Sequence, residues 1–260
     1  KKKNYNFIDR CKFAFYTIKQ LEKNSLIISR SIITSLYLAY NKVENLLEIH
    51  HMPQKITKIL FFLKNYLLKK KYLKFILIHK NLIKKLSLNN DKKIVLDDAV
   101  DINDFKKVKE KIKFECVYTG SLLKGKGVEI IEKLAELNPK LSFNIYGDKN
   151  ELNSWSNELL LKKNIFFKNH VDYYKIPKIL KKHKVLLMPY QNKVYGLGTN
   201  LELSNFMSPM KMFDYLAAGR IIIASKLNVY SHILRNNYNS VLVDPNNIDS
   251  WNISLKKILN

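Results

Sequence analysis

The pattern of hydrophobic and polar residues is clearest from about residue 114 to the carboxyl terminus. Short runs of β-branched and aromatic residues alternate there with longer amphipathic stretches, which is typical of βα units that build a parallel sheet. The alternation predicts strands at 114–119, 141–146, 165–167, 185–189, 221–225 and 241–243. It predicts helices near 127–137, 173–182, 209–218 and 247–259. This set of strands is sufficient for one doubly wound, Rossmann-like domain.

The first part of the chain carries a shorter version of the same alternation, with predicted strands near 26–29, 45–48, 75–78 and 94–96. The first strand and glycine-rich turn that usually open such a domain are missing, because no glycine occurs before Gly120. We therefore predict an α/β fold with two Rossmann-like domains and parallel sheets, the first domain being incomplete at its amino terminus. The predicted domains are 1–104 and 105–260, with a hinge at 97–105.

Composition narrows the class of protein. A chain of 260 residues that is 47% hydrophobic is long enough for two domains with real cores. Its apolar runs are far shorter than the roughly 20 residues needed to cross a bilayer. The first residues also lack the apolar stretch of a secretory signal, so a cytoplasmic location is expected. Cys11 and Cys116 stand far apart, without the spacing of a metal site or a disulfide framework.

The net charge of +24 raises the hypothesis of an anionic partner. Nucleic acid is not expected, because base reading and bidentate phosphate contacts favour arginine. Only four of the 46 basic residues are arginines, Arg10, Arg30, Arg220 and Arg235, and the lysines are scattered through every segment. Attraction to anionic lipid head groups, with peripheral contact at the inner face of the cell membrane, is a weaker expectation.

The first candidate for chemistry is the loop Gly120–Gly127, which joins the predicted strand 114–119 to a helix. Glycines let the backbone approach an anion closely, a helix amino terminus offers free N–H groups, and Lys126 adds full charge. A diphosphate would fit such a loop. An ordinary turn with a solvent-facing lysine is the alternative. The phosphate-binding loop of ATPases is excluded, since no Ser or Thr follows Lys126.

The second candidate is the segment 208–220, which runs directly into the strand 221–225. Ser208 can cap a helix, Pro209 can occupy its first position, and Gly219 can end it in a left-handed conformation. Lys211 and Asp214 stand three residues apart and can share one helix face. A surface salt bridge between them is the simplest alternative.

These two segments together carry a specific resemblance. The runs VYTGSLLKGKGVEIIEKLAELNP and SPMKMFDYLAAGRIIIAS, in this order and strand context, resemble family 4 retaining glycosyltransferases of the GT-B fold. The resemblance covers about residues 114–260. EIHHMP at 48–53 and VLDDAVDINDF at 95–105 are similar to the family's acceptor-domain histidine segment and to its entry into the donor domain.

The resemblance implies a donor site in the second domain. Lys126, with Gly120 and Lys211, would contact the donor diphosphate, and Asp214 would take the place of a glutamate that holds the ribose hydroxyls. Aspartate is one methylene shorter than that glutamate, which leaves its reach open. The part of the loop nearest the donor sugar would consist of Met207, Ser208, Pro209 and Met210.

The resemblance places one further residue, His50, in a catalytic position against the transferred sugar. His51 is its neighbouring competitor, and a His50 that is paired within its own loop is the alternative. Asp97, Asp98 and Asp101 could suggest a metal site, but the resemblance places them in the linker. No metal and no cofactor are therefore expected, and a nucleotide sugar would be a substrate.

Two positions depart from the family pattern. Phe206 stands where the family has the first of two glutamates, and Ser121 stands where an arginine often follows the first glycine. A phenylalanine cannot act as an acid or as a hydrogen-bond acceptor. One phosphate partner and one carboxylate are thus missing.

The resulting hypothesis is a hexosyltransferase-like enzyme. It would move a sugar from a UDP- or GDP-sugar to a glycan, lipid-linked or small-molecule acceptor, with retention and without a metal, in polysaccharide or lipopolysaccharide synthesis. One alternative is an inactive or epimerase-type GT-B homologue that binds nucleotide sugars. The other is a basic module that binds nucleic acid or a membrane surface.

Overall fold

The computed structural model describes residues 6–22, 25–152, 162–196 and 202–260. The chain divides into two compact units, Lys1–Asp97 and Asp98–Asn260.

The first unit is an α/β layer. In its described residues a four-stranded sheet has the order β1-β2-β3-β4, with parallel pairing throughout. Its strands are β1 (Ile28–Ser29), β2 (Asn45–Ile49), β3 (Leu73–Leu77) and β4 (Lys93–Val95). Its helices are α1 (Phe7–Lys19), α2 (Ile32–Tyr40), α3 (Lys55–Leu67) and α4 (Asn81–Lys85). The prediction of a parallel sheet is confirmed.

The interior of the first unit is built by the alternation of its strands. Leu73, Phe75 and Leu77 of β3 are buried, while the residues between them are half-buried. Phe61 of α3 packs edge-on against Phe75, with ring centroids 6.0 Å apart. Helix α3 therefore covers the side of the sheet to which the odd-numbered residues of β3 point.

The second unit contains a larger sheet. In its described residues six parallel strands have the order β10-β9-β8-β5-β6-β7. They are β5 (Phe114–Thr119), β6 (Phe143–Tyr146), β7 (Ile165–Lys168), β8 (His183–Met188), β9 (Ile221–Ser225) and β10 (Val241–Val243). The helices are α5 (Ile102–Lys106), α6 (Val128–Leu137), α7 (Ile176–Lys181), α8 (Met210–Ala218) and α9 (Ile248–Leu259).

Both faces of this sheet are covered, as parallel sheets require. Cys116 and Val117 are adjacent in β5 and point to opposite faces, so they enter different hydrophobic clusters. One cluster includes Leu134 of α6 and Trp251 of α9, and the other includes Tyr215 of α8. The doubly wound, two-sheet α/β prediction is confirmed.

The predicted hinge at 97–105 differs from the observed division. The division falls after Asp97, and the residues that follow belong to the second unit. Phe105 is buried in that unit's core, and Lys181 Nζ donates hydrogen bonds to the carbonyls of Phe105 and Val108 at 2.6 and 2.8 Å. Helix α5 is thus part of a packed domain.

Within the residues described, the structure contains no helix that combines the length and the apolar character needed to cross a bilayer.

Candidate functional site

A cavity of about 550 Å³ opens in the second unit beside the carboxyl ends of β5, β6 and β8. This volume lies within the range of small-molecule sites in proteins. The strand order reverses between β5 and β8, and such a reversal leaves a crevice at the carboxyl edge of a parallel sheet. The cavity therefore lies where this topology places a ligand.

Gly120 follows β5 and lines one side of the cavity. It has a φ of 127°, and its N–H donates a hydrogen bond to the carbonyl of Tyr146 at 2.9 Å. A Cβ atom at this position would lie only 3.0 Å from Lys211 Nζ. The absence of a side chain thus makes room for a lysine, in addition to the predicted approach of an anion.

Helix α8 is fixed to the sheet by Tyr215. The Tyr215 hydroxyl accepts a hydrogen bond from the N–H of Thr119 at 3.0 Å and donates one to the carbonyl of Leu187 at 3.3 Å. These two strand ends flank the point where the strand order reverses. The helix therefore presents Met210, Lys211 and Asp214 to the cavity from a fixed position.

Lys211 is a buried lysine that lines this cavity. Its side chain is 9% exposed, and Nζ makes no hydrogen bond to any described residue. Nζ lies 3.5 Å from the centroid of the Tyr118 ring. Burial holds the pKa of Lys211 well below its usual value, and Lys126 lowers it further, while Asp214 acts in the opposite direction. The surface salt bridge considered for Lys211 and Asp214 is wrong, because both residues are buried.

Asp214 is 6% exposed and has one identified partner among the described residues. The Tyr173 hydroxyl donates a hydrogen bond to Asp214 Oδ1 at 2.8 Å. Burial raises the pKa of Asp214, while this hydrogen bond and the charge of Lys211 oppose the rise. Tyr173 also lines the cavity, although no sequence motif indicated it. Tyr173 stands five residues after the end of β7, and this position at the carboxyl edge of the sheet is the sequence feature that could have indicated it.

Lys126 lies close to the cavity but not in its lining. Its Nζ lies 5.1 Å from the centroid of the Tyr190 ring, and Lys211 Nζ lies 5.2 Å from the same centroid. Burial lowers the pKa of Lys126, and Glu151 opposes this effect. The two lysines thus concentrate positive charge around one ring in the cavity wall.

The four residues of the segment 207–210 do not all face the cavity. Met210 lines the cavity, whereas Met207 and Pro209 are buried. The predicted Ser208 cap is wrong, because the Ser208 hydroxyl accepts the N–H of Asp98 at 2.9 Å instead. Helix α8 begins at Met210, and Pro209 stands before it without a side-chain cap. Gly219 does end this helix, with a φ of 64°, as predicted.

Phe206 is buried, with only 2% of its side chain exposed. Its side chain therefore has a packing role. A carboxylate buried at this position would need a partner of its own, whereas a phenylalanine needs none.

His50 lies in the first unit, immediately after β2. Its Nε2 pairs with the carboxylate of Glu48, two residues earlier. Both side chains line a cavity of about 50 Å³, which can hold water but not a hexose. His51 Nδ1 lies 3.1 Å from the carbonyl of Met52. The alternative of a histidine paired within its own segment fits this geometry, and the catalytic role of His50 stays a prediction.

No group of three His, Cys, Asp or Glu side chains among the described residues is placed to hold a metal ion. Asp101 instead caps α5, since its Oδ1 accepts the N–H of Asn103 at 2.8 Å.

Comparison with known protein families matches residues 99–260 to the family described as glycosyl transferases group 1. The comparison with curated proteins found no match.

Solved structures with a similar fold include Anabaena Alr3699/HepE in complex with UDP and glucose. It has a TM-score of 0.69 and 13% identity, over 96% of this chain and 72% of that chain. A glycosyltransferase from Rickettsia africae ESF-5 has a TM-score of 0.70 and 16% identity, over 100% and 73%. Sucrose-phosphate synthase from Thermosynechococcus elongatus has a TM-score of 0.69 and 13% identity, over 97% and 69%. Identities this low establish similarity of fold alone.

Proposed function

Because this chain belongs to the glycosyl transferases group 1 family, we propose that it transfers a sugar from a nucleoside diphosphate donor to an acceptor. The observation that carries the donor assignment is Lys211, a buried amine without a hydrogen-bond partner among the described residues, in the lining of a cavity of about 550 Å³. A buried charge needs a partner of opposite sign, and a phosphate oxygen of the donor would supply it.

Two lysines, one glycine and the amino terminus of a helix would form the site of the donor diphosphate. Lys211 and Lys126 provide charge around the Tyr190 ring, Gly120 leaves room for close approach, and the first turn of α8 offers free N–H groups. Asp214 would accept hydrogen bonds from the ribose hydroxyls. Met210 would lie beside the donor, whereas the roles expected of Met207, Ser208 and Pro209 would be limited to shaping the segment before α8.

The chemical work of these groups would be electrostatic. Cleavage of the bond between sugar and phosphate places negative charge on the departing diphosphate, and fixed cations in a poorly solvated site stabilise that charge. We propose that the lysines of this chain provide this stabilisation without a metal ion. We further propose retention of configuration, for which the support is the order and context of the family 4 motifs in 114–260.

The nucleotide and the acceptor are finer points of the proposal. Alr3699/HepE was solved with UDP and with UDP-glucose, which makes a UDP-hexose the first donor to test. A glycan or lipid-linked acceptor, a place in polysaccharide or lipopolysaccharide synthesis, and contact with an anionic membrane stay predictions. So does a cytoplasmic location.

We expect one nucleoside diphosphate to stabilise this protein selectively against heat. The test compares UDP, GDP, ADP and their common sugar conjugates by thermal unfolding. A ligand at 100 times its Kd adds about 2.7 kcal/mol, which corresponds to roughly 5–10 °C for a protein of this size. Lys126→Ala and Asp214→Ala should each lose most of this shift, since each removes one ligand contact.

The matched control is Lys124→Ala, which changes an exposed lysine in the same loop as Lys126. It should keep the shift of the unaltered protein. If no nucleotide shifts the transition of the folded, unaltered protein, the donor assignment is wrong, and a GT-B homologue without donor binding becomes the better hypothesis.

A further inference from the structure

We infer that Tyr173 and Asp214 form one composite acceptor for the ribose hydroxyls, in which the phenol extends the reach of a short carboxylate. The inference rests on the proposed function, because it concerns how the donor site reads its ribose. It assigns a specificity role to Tyr173, which no sequence motif indicated.

The contact between the two residues is direct. The Tyr173 hydroxyl donates to Asp214 Oδ1 at 2.8 Å, and both residues line the cavity. Asp214 is only 6% exposed, whereas Tyr173 is 47% exposed. A ligand in the cavity therefore has better access to the tyrosine than to the carboxylate behind it.

The chemistry of the pair leaves two acceptors for a ligand. A phenol has one O–H to donate and oxygen lone pairs that accept. When its proton is directed to Asp214 Oδ1, the phenol oxygen can still accept one ribose hydroxyl. Asp214 Oδ2 makes no hydrogen bond to a described residue, and it can accept a second hydroxyl.

The direction of the hydrogen bond is set by the surroundings. Burial and then the hydrogen bond to Asp214 raise the pKa of Tyr173, so the phenol keeps its proton at neutral pH. Asp214 is the acceptor in this contact. The resemblance to family 4 places a glutamate at position 214, and aspartate is one methylene shorter. The phenol oxygen would thus act as the hydrogen-bond acceptor that the longer side chain of glutamate would otherwise provide.

The elements that carry the pair support a fixed geometry. Asp214 stands on α8, which Tyr215 attaches to the ends of β5 and β8. Tyr173 opens a single turn of 3₁₀ helix, Tyr173–Lys175, that leads directly into α7. Tyr174 is the neighbouring residue and is 72% exposed, so it offers a matched control.

The experiment is calorimetric titration with UDP, GDP or ADP, whichever binds best, and with its 2′-deoxy and 3′-deoxy forms. The unaltered protein should prefer the ribonucleotide to at least one deoxy form by about 10-fold, the scale of a hydrogen bond to a charged group. Tyr173→Phe should weaken binding of the ribonucleotide more than binding of that deoxy form, so that most of this preference is lost. Tyr174→Phe should retain the preference.

A second variant separates a ribose role from a merely structural one. Adding Asp214→Glu to Tyr173→Phe lengthens the carboxylate, so the preference for the ribonucleotide should return. A Tyr173→Phe protein that weakens ribo and deoxy forms equally, or that keeps the preference, overturns the inference.

The failure of the inference can be distinguished from that of the proposed function. If none of the three nucleotides binds the unaltered protein, both are overturned. If a nucleotide binds and Lys211→Met abolishes its binding, but Tyr173→Phe leaves the preference intact, then only the inference is overturned.

Discussion

Replacement of Lys211 by methionine is expected to stabilise the protein without ligand and to abolish nucleotide binding. The two effects have one cause. Lys211 is buried and its Nζ has no hydrogen-bond partner among the described residues, which destabilises the fold, and the same ammonium group is the proposed contact for the donor diphosphate. Methionine has a similar length and fills the same space without charge.

The magnitudes decide the sign of the stability change. An uncompensated buried charge costs several kcal/mol. The cation–π contact with Tyr118, at 3.5 Å, offsets about 2 kcal/mol of that cost. We expect Lys211→Met to raise the free energy of unfolding by about 1–2 kcal/mol, a common size for the loss of a buried unsatisfied group. Nucleotide affinity should fall at least about 100-fold, or about 3 kcal/mol.

The pH dependence of unfolding identifies the charge as the cause. The pKa of Lys211 is lowered in the folded protein from its usual 10.5. The folded state therefore binds the proton less tightly than the unfolded state does, and the penalty is greatest below the folded pKa. It declines as pH rises from the folded pKa towards 10.5. The advantage of Lys211→Met over the unaltered protein should shrink over the same interval.

Chemical denaturation at several pH values, with UDP titration at neutral pH, measures both effects. Lys124→Met is the control, because Lys124 is an exposed lysine in the loop 120–127. It should change neither the free energy of unfolding nor the free energy of nucleotide binding by more than about 0.5 kcal/mol. A Lys211→Met protein that binds the nucleotide normally would show that the diphosphate lies elsewhere.

Gly127→Ala is expected to destabilise the second unit by about 3–5 kcal/mol, from left-handed backbone strain and overpacking together. Gly127 precedes α6 with a φ of 84°, and a Cβ atom there would lie 1.5 Å from the carbonyl oxygen of Pro189. No side-chain rotation can relieve a clash with backbone. The segment after β8 would have to move, and that segment carries Tyr190 of the cavity wall.

Gly219→Ala is the matched control for this prediction. Gly219 has a similar left-handed φ of 64°, but a Cβ atom there would meet nothing within 4 Å. The free energy of unfolding of this variant should fall by only about 1–2 kcal/mol, the cost of the left-handed backbone strain alone. Denaturant midpoints with unchanged slopes compare the two variants directly. Equal losses would mean that the contact between Gly127 and Pro189 is not tight.

The glycines of the loop 120–127 have different surroundings in the structure. In the sequence, these glycines predicted close approach of the backbone to an anion. Only the beginning of the loop, at Gly120 and Ser121, lines the cavity. The end of the loop packs against the chain after β8, and Lys126 approaches the cavity through its contact with the Tyr190 ring. Spacing alone could not separate glycines that face a ligand from glycines that face backbone.

Strand boundaries show a similar limit. The prediction starts one strand at residue 185, whereas β8 begins at His183. Histidine and lysine do not count as hydrophobic in a pattern. In the fold, His183 pairs in register with Phe114 and stacks on its ring at 5.1 Å between centroids, and its Nδ1 lies 2.8 Å from the carbonyl of Ile179. Pairing with the neighbouring strand β5 therefore extends β8 to include His183 and Lys184, and the local pattern contains no information about this pairing.

The sequence by itself determined the parallel α/β architecture, because the alternation of strands and helices is a local property of the chain. The order of the motifs likewise placed Lys211 and Asp214 on one helix at the carboxyl edge of the sheet. Only the tertiary structure decided that Lys211 is buried without a hydrogen-bond partner among the described residues, that Asp214 is held by Tyr173, and that Gly127 meets Pro189. These features depend on contacts between segments far apart in the chain, which local pattern and residue type do not specify.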